Sequence, residues 1–119
     1  MRRKVIAVDL DGVLCEGSSN WTVDGMLAKK PKYTNIEKIN KLFDKGHIII
    51  IYTSRSDSRY RAITRAWLKM HGVKYHALVM DKLFFDMYID EKDKIVAIED
   101  LNPDDFKEVW NRGDGNEKF

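Results

Sequence analysis

Cysteine, proline and histidine are all scarce: 119 residues contain one Cys, two Pro and three His. The lone Cys15 excludes an internal disulfide framework and, with no Cys or His cluster nearby, a zinc site. Having no evident His partner, it reads as a small loop residue rather than a nucleophile. His47, His71 and His76 are scattered without ligand spacing and read as structural. No apolar run approaches the roughly 20 residues of a membrane span, and a strand beginning by Lys4 leaves no room for a signal peptide, which points to the cytoplasm. The net charge of +2 is too small to imply nucleic acid or a membrane on its own. There is no repeat, low-complexity tract or linker. With 44% hydrophobic and 34% charged residues, the composition is that of one ordinary globular domain. We place that domain in residues 1–112, with 113–119 as a flexible tail.

Short apolar runs recur at Val5–Val8, Ile48–Tyr52, Ala77–Met80, Met87–Ile89 and Ile95–Ile98. Each is bounded by polar or turn residues, the pattern of strands buried on both faces. Between the first two, Ile36, Ile39, Leu42 and Phe43 repeat at helical spacing before Gly46. Ile63, Ala66, Trp67 and Met70 do the same before Gly72, which gives a helix over Ser58–His71. Asn102-Pro103-Asp104 opens a last helix carrying Phe106, Val109 and Trp110. Residues Glu16 to Tyr33 are polar, show no helical period and read as a loop or small hairpin. Alternating strands and helices predict an α/β fold: a three-layer α/β/α, Rossmann-like parallel sheet with no substantial cap domain.

In such a sheet, ligands bind beyond the carboxyl ends of the strands. The first strand ends Asp9-Leu10-Asp11-Gly12, and alternate residues share a face, so two carboxylates leave the strand tip together. A cation between them relieves their repulsion, and hard oxygen ligands suit Mg²⁺. Thr53, Ser54 and Arg55 follow the second strand, Lys82 the third, and Asp90 and Glu91 the fourth. Carboxylates, a hydroxyl donor and cationic donors at one edge suit a phosphoryl group and its metal.

These motifs resemble the haloacid dehalogenase superfamily of phosphohydrolases. The first family motif, D-x-D-G-[TV], is matched by Asp9-Leu10-Asp11-Gly12-Val13. The second, an apolar strand ending in Thr or Ser, is matched by Ile48 to Thr53. Lys82 stands for the third and Tyr88-Ile89-Asp90-Glu91 for the fourth. Within the superfamily, Asp9 to Glu16, Asn40 to His47 and Tyr52 to Arg55 are similar to small capless members associated with capsule and surface-polysaccharide synthesis. The resemblance implies a Mg²⁺-dependent phosphatase that hydrolyses a phosphate monoester, such as a sugar phosphate or polysaccharide precursor. Asp9 would be the nucleophile that forms an aspartyl-phosphate, and Asp11 the general acid and base. Thr53 and Lys82 would stabilise the transferring group, with Gly12, Ser54 and Arg55 binding substrate. Asp9, Asp11, Asp90 and Glu91 would hold the metal, Asp11 through its main-chain carbonyl. Lys82 lacks the Pro or Gly neighbours usual in the family, and Glu91 replaces the usual second Asp.

Arg59, Arg61 and Arg65 read as the solvated side of their helix, whereas Arg55 is placed to grip an anion. Trp21 can stack on a substrate ring or pin its loop. Without a cap the site is open, which suits a large substrate or a homo-oligomer in which a neighbouring subunit closes the entrance. The alternatives are a nucleic-acid end phosphatase, given the basic Arg55–Lys74 stretch with Tyr60, Trp67 and Tyr75, and a catalytically silent binding protein. A phosphorylated receiver domain fits less well, because Tyr52-Thr53-Ser54-Arg55 has no acid where a receiver's central strand carries one.

Overall fold

The computed structural model describes residues 2–17, 21–56, 58–91 and 95–109. Three parallel strands, β1 (Val5–Val8), β2 (Ile48–Tyr52) and β3 (Ala77–Val79), form a sheet in the order β1-β2-β3. Val5 pairs with Ile48 and Val8 with Ile51, while Ile51 also pairs with Leu78. Helix α2 (Tyr33–Asp44) links β1 to β2, and α3 (Ser58–Met70) links β2 to β3. The result is a small α/β unit compatible with a Rossmann-like fold.

Register and alternation divide the sheet into two faces. Ile6, Val8, Ile49, Ile51 and Leu78 share one face. All but the half-buried Ile6 are buried, in one cluster with Ile36, Ile39 and Leu42 of α2 and Trp67 and Leu68 of α3. Successive right-handed crossovers stepping in one direction put both helices on that face. Val5, Ala7, Ile48, Ile50, Tyr52, Ala77 and Val79 form the opposite face, where Val5 is 49% and Val79 42% exposed. Among the described residues the fold therefore has a sheet and one helical layer; a second layer on the other face is not among them.

Both helices end in the same device. Gly46 (φ 96°) follows α2, with its N–H donating to Phe43 O and the His47 N–H to Leu42 O. Gly72 (φ 68°) follows α3, with its N–H donating to Lys69 O and the Val73 N–H to Leu68 O. These paired bonds satisfy the last carbonyls of each helix and need a left-handed residue, which glycine adopts without a Cβ penalty. Trp67 is 1% exposed, and its Nε1–H donates to the main-chain oxygen of Lys29 at 2.9 Å. The core thus reaches out to fix a loop that matters below.

Several expectations are corrected. Met87–Ile89 and Ile95–Ile98 form no strands; their side chains are largely exposed, with Ile89 at 85% and Ile95 at 74%. These runs are three and four residues long, and periodicity in so short a run does not identify a strand. Strands buried on both faces are likewise not observed. The Asn102 side chain caps Asp104 N–H at 3.1 Å as expected, but the helix stops after one 3-10 turn, Pro103–Asp105. Past that turn the segment is held to the end of α2 instead: Lys45 Nζ donates to the carbonyls of Pro103 (2.6 Å) and Phe106 (2.7 Å). Within 16–33 lies a short helix, α1 (Val23–Leu27), capped by Thr22 Oγ1 accepting from Gly25 N–H at 3.0 Å. Five residues are too few to show a period. The Cys15–Pro31 bridge nevertheless closes that stretch as a hairpin would. Trp110 and the 113–119 tail lie outside the described residues.

Candidate functional site

The β1 tip is set by its flanking apolar residues. Leu10 and Leu14 are fully buried, and the Leu10 carbonyl accepts from the N–H groups of Val13 (3.1 Å) and Leu14 (2.9 Å). Gly12, at φ 87°, turns the chain between them. Asp9 and Asp11, alternating with Leu10, face the opposite way. Asp9 Oδ1 accepts from Leu10 N–H at 2.8 Å, and Asp9 Oδ2 lies 3.8 Å from Lys82 Nζ.

Lys82 arrives there through a local backbone arrangement. Beyond β3, Asp81 takes the left-handed conformation (φ 62°), unusual for a residue with a Cβ but most tolerated by Asp and Asn. The Asp81 N–H donates to Arg55 O and the Lys82 N–H to Thr53 O, at 3.0 and 2.9 Å. The exits of β2 and β3 are thereby tied together and Lys82 is turned toward β1. Thr53 is 1% exposed, and its Oγ1 accepts from Arg55 N–H at 3.2 Å.

Asp11 is the electrostatic centre. Arg55 grips it through both carboxylate oxygens, Nε to Oδ2 at 3.0 Å and Nη2 to Oδ1 at 2.7 Å, while its Nη1 donates to Thr64 Oγ1 at 2.9 Å. Lys29 Nζ donates to Asp11 Oδ1 at 2.8 Å. Both cationic side chains are almost fully buried. Burial pushes the Asp11 carboxyl up, but hydrogen bonds and charge from Arg55 and Lys29 outweigh it and hold its pKa below the ordinary value. Cys15, beside Asp11, is pushed up to about 12, first by burial and then by the Asp11 charge, so its thiol stays protonated and inert.

Asp9, Asp11, Thr53, Ser54, Arg55 and Ser56 line a pocket of about 410 Å³. Trp21, Met26, Tyr60 and Phe84 complete its lining. Of the residues singled out from the sequence, Asp9, Asp11, Thr53, Ser54 and Arg55 line the pocket, Gly12 shapes the turn beside it and Lys82 reaches Asp9. Asp90 and Glu91 are not brought in: both are exposed, and Asp90 Oδ2 accepts from Tyr88 O–H at 2.7 Å. No group of three His, Cys, Asp or Glu side chains converges to hold a metal among the described residues. The segment carrying Asp90 joins no strand, and it leaves Asp90 and Glu91 outside the pocket lining. Arg61 also departs from a merely solvated role, donating to Leu78 O at 2.9 Å.

Lys29 was not among the residues the sequence pointed to. The signal was present in Lys29-Lys30-Pro31-Lys32, a cationic stretch in the loop over the strand tips, but nothing local shows which lysine turns inward. The Trp67 bond to Lys29 O decides that, and Trp67 is 38 residues away in the chain.

No family model and no curated protein matches the chain. Among solved structures, a target protein from Vibrio cholerae is similar at 24% identity and a TM-score of 0.67, over 86% of this chain and 92% of that one. A chain of the Pnkp1/Rnl/Hen1 complex is similar at 21% identity and a TM-score of 0.55, over 67% of this chain but only 28% of that one. At these identities the likeness is one of fold: the chain shares its small α/β architecture with both.

Proposed function

We propose that this chain is a Mg²⁺-dependent phosphatase of the haloacid dehalogenase type, hydrolysing a phosphate monoester such as a sugar phosphate or polysaccharide precursor. The observation that carries the reading is the exposed Asp9 carboxylate, 3.8 Å from Lys82 Nζ, in one pocket with Thr53, Ser54 and Arg55 at the carboxyl ends of parallel strands. An Asp9 oxygen would bond to phosphorus as the bond to the leaving alcohol oxygen breaks, and Asp11 would give that oxygen its proton. A water would then lose a proton to Asp11 and bond to phosphorus as the Asp9–phosphorus bond breaks, which restores the Asp9 carboxylate and releases phosphate. Lys82 and the Thr53 hydroxyl would offset charge on the phosphoryl oxygens.

The reading makes one demand on Asp11. Paired with Arg55 and Lys29 it is ionised, so it carries a proton only after phosphoryl oxygens draw those cations away. Both cations are donors suited to phosphate, and Arg55 can serve it in the same bidentate manner.

Mg²⁺ takes one or two carboxylates, substrate phosphate oxygens and several waters. The Asp9 carboxylate with the Asp11 main-chain carbonyl fits that donor set without Asp90 or Glu91. When bound, the metal would supply positive charge between Asp9 and the phosphoryl group. The reading also carries a capless three-layer fold and a pocket mouth closed by a large substrate or a second copy of the chain.

That Asp90 and Glu91 stand outside the pocket favours one competing reading, a catalytically silent binding protein. Phosphate release from a panel of phosphate monoesters, with Mg²⁺ or EDTA and beside Asp9→Asn, separates the two. Release that requires both Mg²⁺ and Asp9 supports the phosphatase. No release from folded protein supports the silent relative.

A further inference from the structure

The pocket lining contains two chemically different sets of side chains, and a phosphoryl group accounts for only one. Trp21, Tyr60 and Phe84 contribute three aromatic rings, with Met26 among them. Trp21 is 47% and Phe84 85% exposed, so neither ring is spent on the core. Two of the rings lie beside cations: Lys29 Nζ is 4.2 Å and Arg55 Cζ 5.8 Å from the Trp21 ring centroid, and Arg59 Cζ is 4.8 Å from that of Tyr60. A cation over a ring steadies it, and the Lys29 and Arg55 groups beside Trp21 are those that meet Asp11, so the ring and the anion-binding donors are neighbours. Trp67 and Tyr75, which with Tyr60 make the sequence look ready to stack on bases, are packed on the core and unavailable. Of those three, Tyr60 lines the pocket.

We infer that the pocket selects phosphate esters whose alcohol carries a planar aromatic ring, as a nucleotide does, with the ring against Trp21, Tyr60 and Phe84 and the phosphoryl group at Asp9, Thr53 and Arg55. The inference rests on the phosphatase reading for the polar side and on the aromatic wall for the rest. Charge complementarity fixes the orientation: the phosphate dianion meets Arg55 and Lys82, and an uncharged ring meets the apolar wall. A pocket of about 410 Å³ lies in the size range of small-molecule sites and has room for an alcohol group beyond the phosphoryl. A free nucleotide and the phosphorylated end of a nucleic acid share this chemistry.

The test uses binding and turnover as separate readouts on the full chain. Affinities for adenosine 5′-monophosphate and ribose 5-phosphate, which carry the phosphate on the same ribosyl 5-oxygen and differ by the base, are measured by calorimetry, and Mg²⁺-dependent phosphate release is measured on the same pair. Stacking predicts a preference of about tenfold or more for the nucleotide, reduced in Trp21→Ala and in Tyr60→Ala. Equal affinity and equal turnover of the two ligands, unaltered in those variants, would overturn the inference while leaving the phosphatase reading standing. Preferential nucleotide binding without any release would uphold the aromatic wall and overturn the phosphatase reading. Neither binding nor release would overturn both. A 5′-phosphorylated oligonucleotide forms the third arm: saturation at lower concentration than the mononucleotide identifies a nucleic-acid end as the source, and weaker binding identifies the free nucleotide.

Discussion

Replacing Lys29 by Met keeps most of the buried stem and removes the ammonium that meets Asp11 Oδ1 at 2.8 Å. Deleting one partner of a fully buried ion pair costs about 3–5 kcal/mol, because the other charge is left alone. Asp11 would not be alone: Arg55 still holds both of its oxygens, and its side chain is 19% exposed. The loss should therefore approach that of one charged hydrogen bond, about 1.5–3 kcal/mol, which for a chain of this length lowers Tm by several degrees. The pH dependence identifies the source. The folded pKa of Asp11 is depressed, so its stabilisation is present above the ordinary value near 3.8 and is lost as pH falls through the folded value. The gap between wild type and Lys29→Met should be constant from pH 8 to pH 5 and close below about pH 4. Urea denaturation across that range measures it. A variant as stable as wild type at pH 7, or a gap that persists unchanged in acid, refutes the buried clamp.

Other perturbations reach other parts of the account. Trp67→Phe keeps an aromatic ring in the core but loses the bond to Lys29 O, and should cost about 1 kcal/mol in denaturant unfolding together with a weaker response to Lys29→Met in the double variant. Gly46→Ala places a Cβ 2.8 Å from Val109 Cβ at φ 96°, so it should destabilise by more than the roughly 1–2 kcal/mol of a left-handed alanine alone; a loss in denaturant unfolding no larger than that backbone cost would show that Val109 is not seated on Gly46. His47 is buried, accepts Lys4 N–H at Nδ1 and meets Lys107 O through Nε2, and burial above all lowers its pKa. Its contribution is therefore complete above the ordinary value near 6.5 and lost as pH falls through the folded value, so stability should drop on acidification below about pH 6.5 and drop less in His47→Gln.

The legible parts of the chain were those whose signals are local. Val5–Val8 and Ile48–Tyr52 carry continuous β-branched runs, and Gly46 and Gly72 stop two helices whose apolar residues recur at three and four. Asp9, Asp11 and Thr53 follow from those strands, because a residue just past a strand end is placed as soon as the strand is, whereas Lys82 reaches the site through the Asp81 turn and its bond to Thr53 O. The illegible parts depend on partners distant in sequence. The segment opened by Asn102-Pro103 makes one 3-10 turn and is then held by Lys45, which donates to the carbonyls of Pro103 and Phe106 from the end of α2. Lys29 is turned onto Asp11 by Trp67, and the Met87–Ile89 run has strand-forming side chains but no strand beside it. Asp90 and Glu91, expected at the end of a fourth strand, follow a segment that joins none.

The central claim is that Asp9 is a nucleophile, and the most direct measurement is a rapid acid quench of the Mg²⁺-loaded protein during turnover of a phosphate monoester, followed by mass analysis of its peptides. The account predicts a phosphoryl increment on the peptide containing Asp9, removed by hydroxylamine and absent from Asp9→Asn. Phosphate release with no such adduct, or with an adduct that persists in Asp9→Asn, would contradict it.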